Sequence, residues 1–146
     1  MRIFGAIVFI VLAAIAVLHL AWGFGLRWPA SGERELVATV VGATGRTRMP
    51  GRAQCALAAV AILCAACVVL LLSGLVPSPL PPHMLILLGG GVASVFALRG
   101  LVAYTRGWRR RFALQPFARN DQRYYAPLCF VVALVAALLV LERMRI

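Results

Sequence analysis

The chain has no lysine and few acids. All fifteen basic residues are arginine, against Glu33, Glu35, Asp121 and Glu142 as the only acids. Charged residues fill 13% of the 146 positions and hydrophobic residues 63%. A soluble domain carries about 25% charged residues, so a water-facing globule is excluded. Histidine is nearly missing too. His19 and His83 fall on opposite sides of the membrane in the topology below, so no metal site is expected. There is no P-loop, no GxGxxG after a strand and no GxSxG nucleophile elbow, and no cofactor is expected. The net charge of +11 does not imply nucleic acid, because the arginines flank apolar runs instead of covering a soluble face. Arginine without lysine reads as the bias of a GC-rich genome.

Four long apolar runs are present, at about residues 3–25, 53–76, 83–105 and 124–141. A bilayer core needs about 20 apolar residues per helix. Only helices or closed barrels satisfy their backbone in lipid, and these runs are too continuous for barrel strands. The expected fold is all-α: an integral membrane four-helix antiparallel bundle, one domain over 1–146. The first run follows Arg2 but is far longer than the about 7–15 apolar residues of a signal peptide. It lacks a clean small-x-small cleavage site, so it reads as a retained span.

Loop charge sets the orientation. Arg27, Arg34, Arg46, Arg48 and Arg52 follow the first span, and Arg106, Arg109, Arg110, Arg111, Arg119 and Arg123 follow the third. Arg2, Arg143 and Arg145 are the only arginines on the other side, where the turn "PSPLPP" has no charge. Positive loops stay inside. The expected location is therefore a bacterial inner membrane, with loops 26–52 and 106–123 cytoplasmic and both termini outside. Arg2 and the α-amine pull the other way.

Arg99 then lies about 9 Å inside the cytoplasmic end of the third span. It either snorkels to the headgroups or belongs to a site. His19 is level with it on the first span, and Trp22 shares the His19 face. With Arg27, Trp28, Arg119, Asp121 and Tyr125, these residues gather at one end of the bundle and form a candidate ligand site. Each also has a plainer reading. The aromatic residues suit an interfacial belt, and His19 suits a hydrogen-bonded packing residue.

Within the first loop, Leu36–Val41 is apolar and β-branched, followed by "GATG". It reads as a small hairpin, or as a segment curled on the bundle without strands. In "RGWRRRFALQPFARNDQRYYAP", Phe112, Leu114 and Phe117 alternate with arginines, so this loop should lie in the headgroup layer and attract anionic lipid. The second and third spans are rich in alanine and glycine, which lets membrane helices approach closely. "CAAC" at 64–67 is a CxxC, but it sits mid-helix without relay cysteines. Small buried apolar residues are the better reading there.

"HLAWGFGLRWPA", "RMPG", "LRG" and above all "PFARNDQRYYAPLC" resemble the bacterial domain-of-unknown-function family 3995, small four-span membrane proteins, over nearly the whole chain. The resemblance implies topology and no activity. Family members often carry an acid four residues after the third-span arginine, where this chain has Ala103. A counter-ion for Arg99 must then come from elsewhere. Asp121 lies on the correct side, beside Arg119 and Arg123, and can pair with any of the three.

Three functions follow. The first is a protein that binds an anionic lipid headgroup or an amphipathic small molecule at the cytoplasmic end. The second is an accessory subunit that packs on a membrane-protein partner through its small-residue faces. The third is a lipid or isoprenoid enzyme with His19 as acid or base. Membrane lipids are the expected partners, and nucleic acid is not.

Overall fold

The computed structural model describes residues 1–145. Four helical stretches carry the apolar runs: α1 (Arg2–Gly23), α3 (Arg52–Leu72), α4 (Pro82–Val102) and a fourth that extends from Phe117 to Met144. Their most apolar windows have mean hydropathy of 2.8, 3.0, 2.0 and 2.5, enough to cross a membrane. The exterior is apolar as well. Ile3, Ile7, Ile10, Leu57, Leu87, Val95, Leu98 and Leu134 are each more than half exposed. Such a surface is stable against lipid, not against water.

The helices pair antiparallel, α1 on α3 and α4 on α7 (Ala126–Met144). Close approach is bought by glycine. A Cβ on Gly5 would stand 2.5 Å from Ser73 Cβ, and one on Gly100 would stand 2.7 Å from the Phe130 ring. Gly89 joins the two pairs, since a Cβ there would meet Leu72 at 2.5 Å and Val140 at 2.6 Å. Leu12, Val69, Leu72, Val132 and Leu139 fill the centre, all nearly or fully buried. At the end that holds the chain termini, Arg143 donates from Nε to Leu72 O (3.0 Å) and from Nη2 to Leu71 O (3.2 Å). It thereby satisfies the Leu72 carbonyl in the last turn of α3, adds a second donor to the Leu71 carbonyl that accepts from Gly74 N, and places a cation at a helix C-terminus.

The other end holds both long loops, and they bind each other. Thr44 N donates to Arg111 O at 2.9 Å, and Leu114 N donates to Gly42 O at 3.1 Å. Gly42 has φ +69° and takes the Phe117 ring directly against its Cα, a place no side chain could share. Two short helices belong to these loops: α2 (Glu33–Leu36) and α5 (Arg106–Arg111). At the start of α2, the Ser31 hydroxyl and N–H both donate to Glu35, which holds that carboxyl below its ordinary pKa.

Of the two forms expected for Leu36–Val41, the structure shows the segment without strands. α2 runs into a π turn over Val37–Val41, closed by Gly42 N donating to Val37 O at 2.8 Å. Leu36 and Val37 are consecutive and both fully buried. A strand would send them to opposite faces, whereas a helical turn keeps them together. The helical stretch that carries the fourth apolar run begins before residue 124. α6 (Phe117–Asn120) passes through a second π turn, Asp121–Tyr125, into α7. The wide turn immediately precedes Pro127, whose ring would crowd the carbonyl four residues back in a regular helix.

Candidate ligand site at the loop end of the bundle

Gly100 sets the geometry. Its contact with Phe130 lays the last turn of α4 on the start of the fourth span and carries Arg99 to Asp121. Arg99 Nη2 donates to Asp121 Oδ1 at 2.6 Å. Trp108, on α5, donates from its indole Nε1 to Asp121 Oδ2 at 2.8 Å. The same indole lies under the Arg99 guanidinium, 4.7 Å from its centroid. The Thr105 hydroxyl accepts from Trp108 N at 3.3 Å and starts α5 in the right place. Asp121 is 3% exposed along its side chain and both of its oxygens are engaged. An ionised carboxylate at that depth is tolerable because it is paired and hydrogen-bonded. Arg99 is not fully satisfied. Its Nη1 is buried and has no hydrogen-bond partner.

Arg99 also lines a cavity of about 410 Å³ between α1, α3, α4 and the loops. His19 and Trp22 form its α1 wall, Gln54, Cys55 and Ala58 its α3 wall. Val40, Val41, Arg46, Met49 and Pro50 come from the first loop, and Trp108, Phe112 and Phe117 from the second. His19 Nδ1 donates to Ile15 O at 2.8 Å, which leaves Nε2 as the free ring nitrogen. The His19 and Trp22 rings are 5.1 Å apart. Trp22 Nε1 donates to Trp28 O at 2.8 Å, so Trp28 serves through its backbone while its ring is exposed.

The anticipated residues therefore separate. His19, Trp22 and Arg99 share the cavity, and Asp121 stands behind Arg99. Arg27 is exposed and off the cavity wall. Arg119 lies on a different cavity, beside Asp121. Tyr125 packs on Phe117 at 5.8 Å between centroids and does not reach the cavity. Sequence reasoning did not single out Trp108, Arg46, Gln54 or Phe112 for this site. The signal for Trp108 was its spacing to Phe112, one helical turn on. Their rings stack at 4.1 Å. Nothing in the sequence pointed to Arg46.

The "CAAC" cysteines, expected to be buried, are instead exposed on the outer face of α3, and both thiols are free. Among the described residues, no three His, Cys, Asp or Glu side chains gather closely enough to hold a metal ion.

The sequence matches, over residues 12–142, the family described as "Protein of unknown function (DUF3995)". The chain belongs to that family. It matches no curated protein and no solved structure.

Proposed function

We propose that this member of the family holds a small amphiphile with an anionic head in the cavity walled by His19, Arg46 and Arg99. One observation carries the reading: a buried guanidinium nitrogen of Arg99 without a partner, on a residue that lines a cavity of about 410 Å³. Ligand sites of about 300–1,000 Å³ combine apolar walls with a few polar groups. Here Trp22, Val40, Met49 and Phe112 supply the walls, and His19 Nε2, Gln54 and Arg46 supply polar contacts. Asp121 already neutralises Arg99, so Arg46 carries the net positive charge that selects an anion. The positive loops support a bacterial inner-membrane protein with this end of the bundle in the cytoplasm.

A subunit role has separate support. Gly90 and Gly91 on α4 have nothing within 4 Å of where a Cβ would stand, so this part of the helix is open to a neighbour. Chemistry at His19 has less, because no carboxylate lies on the cavity wall.

Native mass spectrometry of the protein released from membranes tests the proposal. A retained small anionic amphiphile is expected, with occupancy reduced several-fold in Arg46→Gln and His19→Phe. Equal occupancy in wild type and both variants, or no bound species, would reject it.

A further inference from the structure

A second cavity, of about 630 Å³, lies on the far side of Trp108 and Phe112, which line both cavities. Arg99 faces only the first and Asp121 only the second, so their pair and the Trp108 indole form the partition. Two arginines line the second cavity from different elements, Arg109 from α5 and Arg119 from α6. Neither has an acid. Among the described residues the one ion pair is Arg99–Asp121. Asp121 has both oxygens committed, Glu33 accepts from Met49 N, and Glu35 accepts from Ser31. Glu142 stands at the opposite end of α7. Arg109 and Arg119, both without an acidic partner, therefore share one concave wall with Gln115 and Gln122. The cavity begins at Ala103, where α4 ends, and so lies at the level where the apolar span gives way to the headgroup layer.

We infer that this cavity is a binding site for a phosphate group, distinct from the amphiphile cavity, with Arg109 and Arg119 gripping its oxygens and Gln115 and Gln122 donating from the side. Guanidinium forks match phosphate oxygens in pairs. The site differs from diffuse attraction by a basic loop, because Arg106 and Arg110 belong to the same loop but do not line the cavity. The phosphate comes from a lipid headgroup or from a soluble phosphate.

Thermal melting of the full chain in neutral detergent tests this by titration with short-chain phosphatidylglycerol and, separately, with inorganic phosphate. Saturable stabilisation is expected. Arg109→Gln and Arg119→Gln should each raise the half-saturating concentration about fivefold. Arg106→Gln and Arg110→Gln should leave it unchanged for both probes, and Arg46→Gln, in the amphiphile cavity, should leave it unchanged for inorganic phosphate. Melting without additive should match wild type in the four variants of this loop, since these side chains are exposed. A response to phosphatidylglycerol alone that Arg109→Gln and Arg119→Gln weaken identifies a headgroup site, and such a response to both probes identifies a general phosphate site. The inference is overturned by no saturable response to either, or by losses in Arg106→Gln and Arg110→Gln equal to those in Arg109→Gln and Arg119→Gln. Loss of the inorganic-phosphate response in Arg46→Gln alone would move the binding to the first cavity and overturn it too.

Discussion

Arg99 and Asp121 meet at 2.6 Å across 22 residues of chain and join the last turn of α4 to the π turn of the fourth span. Asp121 is almost wholly buried and Arg99 about two-thirds buried. The pair thus sits where removing either member leaves the other charged and poorly solvated. Such losses cost about 3–5 kcal/mol. Arg99→Lys keeps the charge but loses the planar stack on Trp108. Asp121→Asn keeps the shape but loses the charge. Each should lower thermal stability, and the double variant should lose less than the sum by about 1 kcal/mol or more. The cycle is read from melting curves in one detergent. Strict additivity, with Arg99→Lys near wild type, would reduce Arg99 to a snorkelling anchor.

Trp108 contributes two separable things, an N–H to Asp121 and a ring beneath Arg99. Trp108→Phe removes the first and keeps most of the second. The expected loss is about 1–3 kcal/mol, that of a hydrogen bond to a charged group. Trp108→Ala removes both, opens the partition between the cavities, and should also raise amide exchange over 42–44 and 111–114, where the two loops bind each other. Equal stability of the Phe variant and wild type would show that the indole N–H contributes nothing.

The four apolar helices are legible because lipid imposes one dominant requirement, about 20 apolar residues per span, and the four windows meet it without competition from charged residues. The Arg99–Asp121 geometry was within reach for a related reason. With four acids in the chain, and Glu142 at the far end, few counter-ions remained. Helix at 117–123 was not legible. "FARNDQR" is polar and follows Pro116, and its helical state depends on distant contacts, Phe117 against Gly42 and Asp121 against Arg99. For Leu36–Val41 two readings stood open, and packing selected the strand-free one although β-branched residues favour strands. Arg143 read as a terminal charge. Its bonds to Leu71 and Leu72 follow from antiparallel packing, which places its guanidinium at the C-terminus of α3.

The glycines of α4 divide by what they touch. Gly89 and Gly100 lie against neighbouring helices, and Gly90 and Gly91 face open space. Gly89→Ala and Gly100→Ala should each destabilise the bundle by about 1–3 kcal/mol through overpacking. Gly100→Ala should in addition displace Arg99 from Asp121. Gly90→Ala and Gly91→Ala should be neutral in the isolated chain, or stabilising by up to about 1 kcal/mol through helix propensity. Melting of the four variants in detergent separates the cases. If Gly90→Ala and Gly91→Ala are neutral in detergent but destabilising in native membranes, the open glycines are a docking face, and the subunit reading gains over the ligand reading.

Arg2 and the α-amine are the signals that oppose the proposed orientation. Eleven arginines flank the loop end of the bundle, and the turn at the other end has none. Both loops lie at one end because α1 pairs with α3 and α4 with α7, each antiparallel. The loops therefore cross together or stay together, and a mixed arrangement is not available to this fold. Translocating eleven guanidinium groups costs far more than translocating Arg2, Arg143 and Arg145. Single cysteines introduced by Arg110→Cys and by Ser78→Cys report on the two ends, in a background with Cys55, Cys64, Cys67 and Cys129 replaced by alanine or serine. In intact bacterial cells, a membrane-impermeant thiol reagent should label position 78 and not 110, with the pattern reversed in inside-out vesicles. Labelling of position 110 in intact cells would invert the protein and place both cavities outside, where cytoplasmic amphiphiles and phosphate could not reach them.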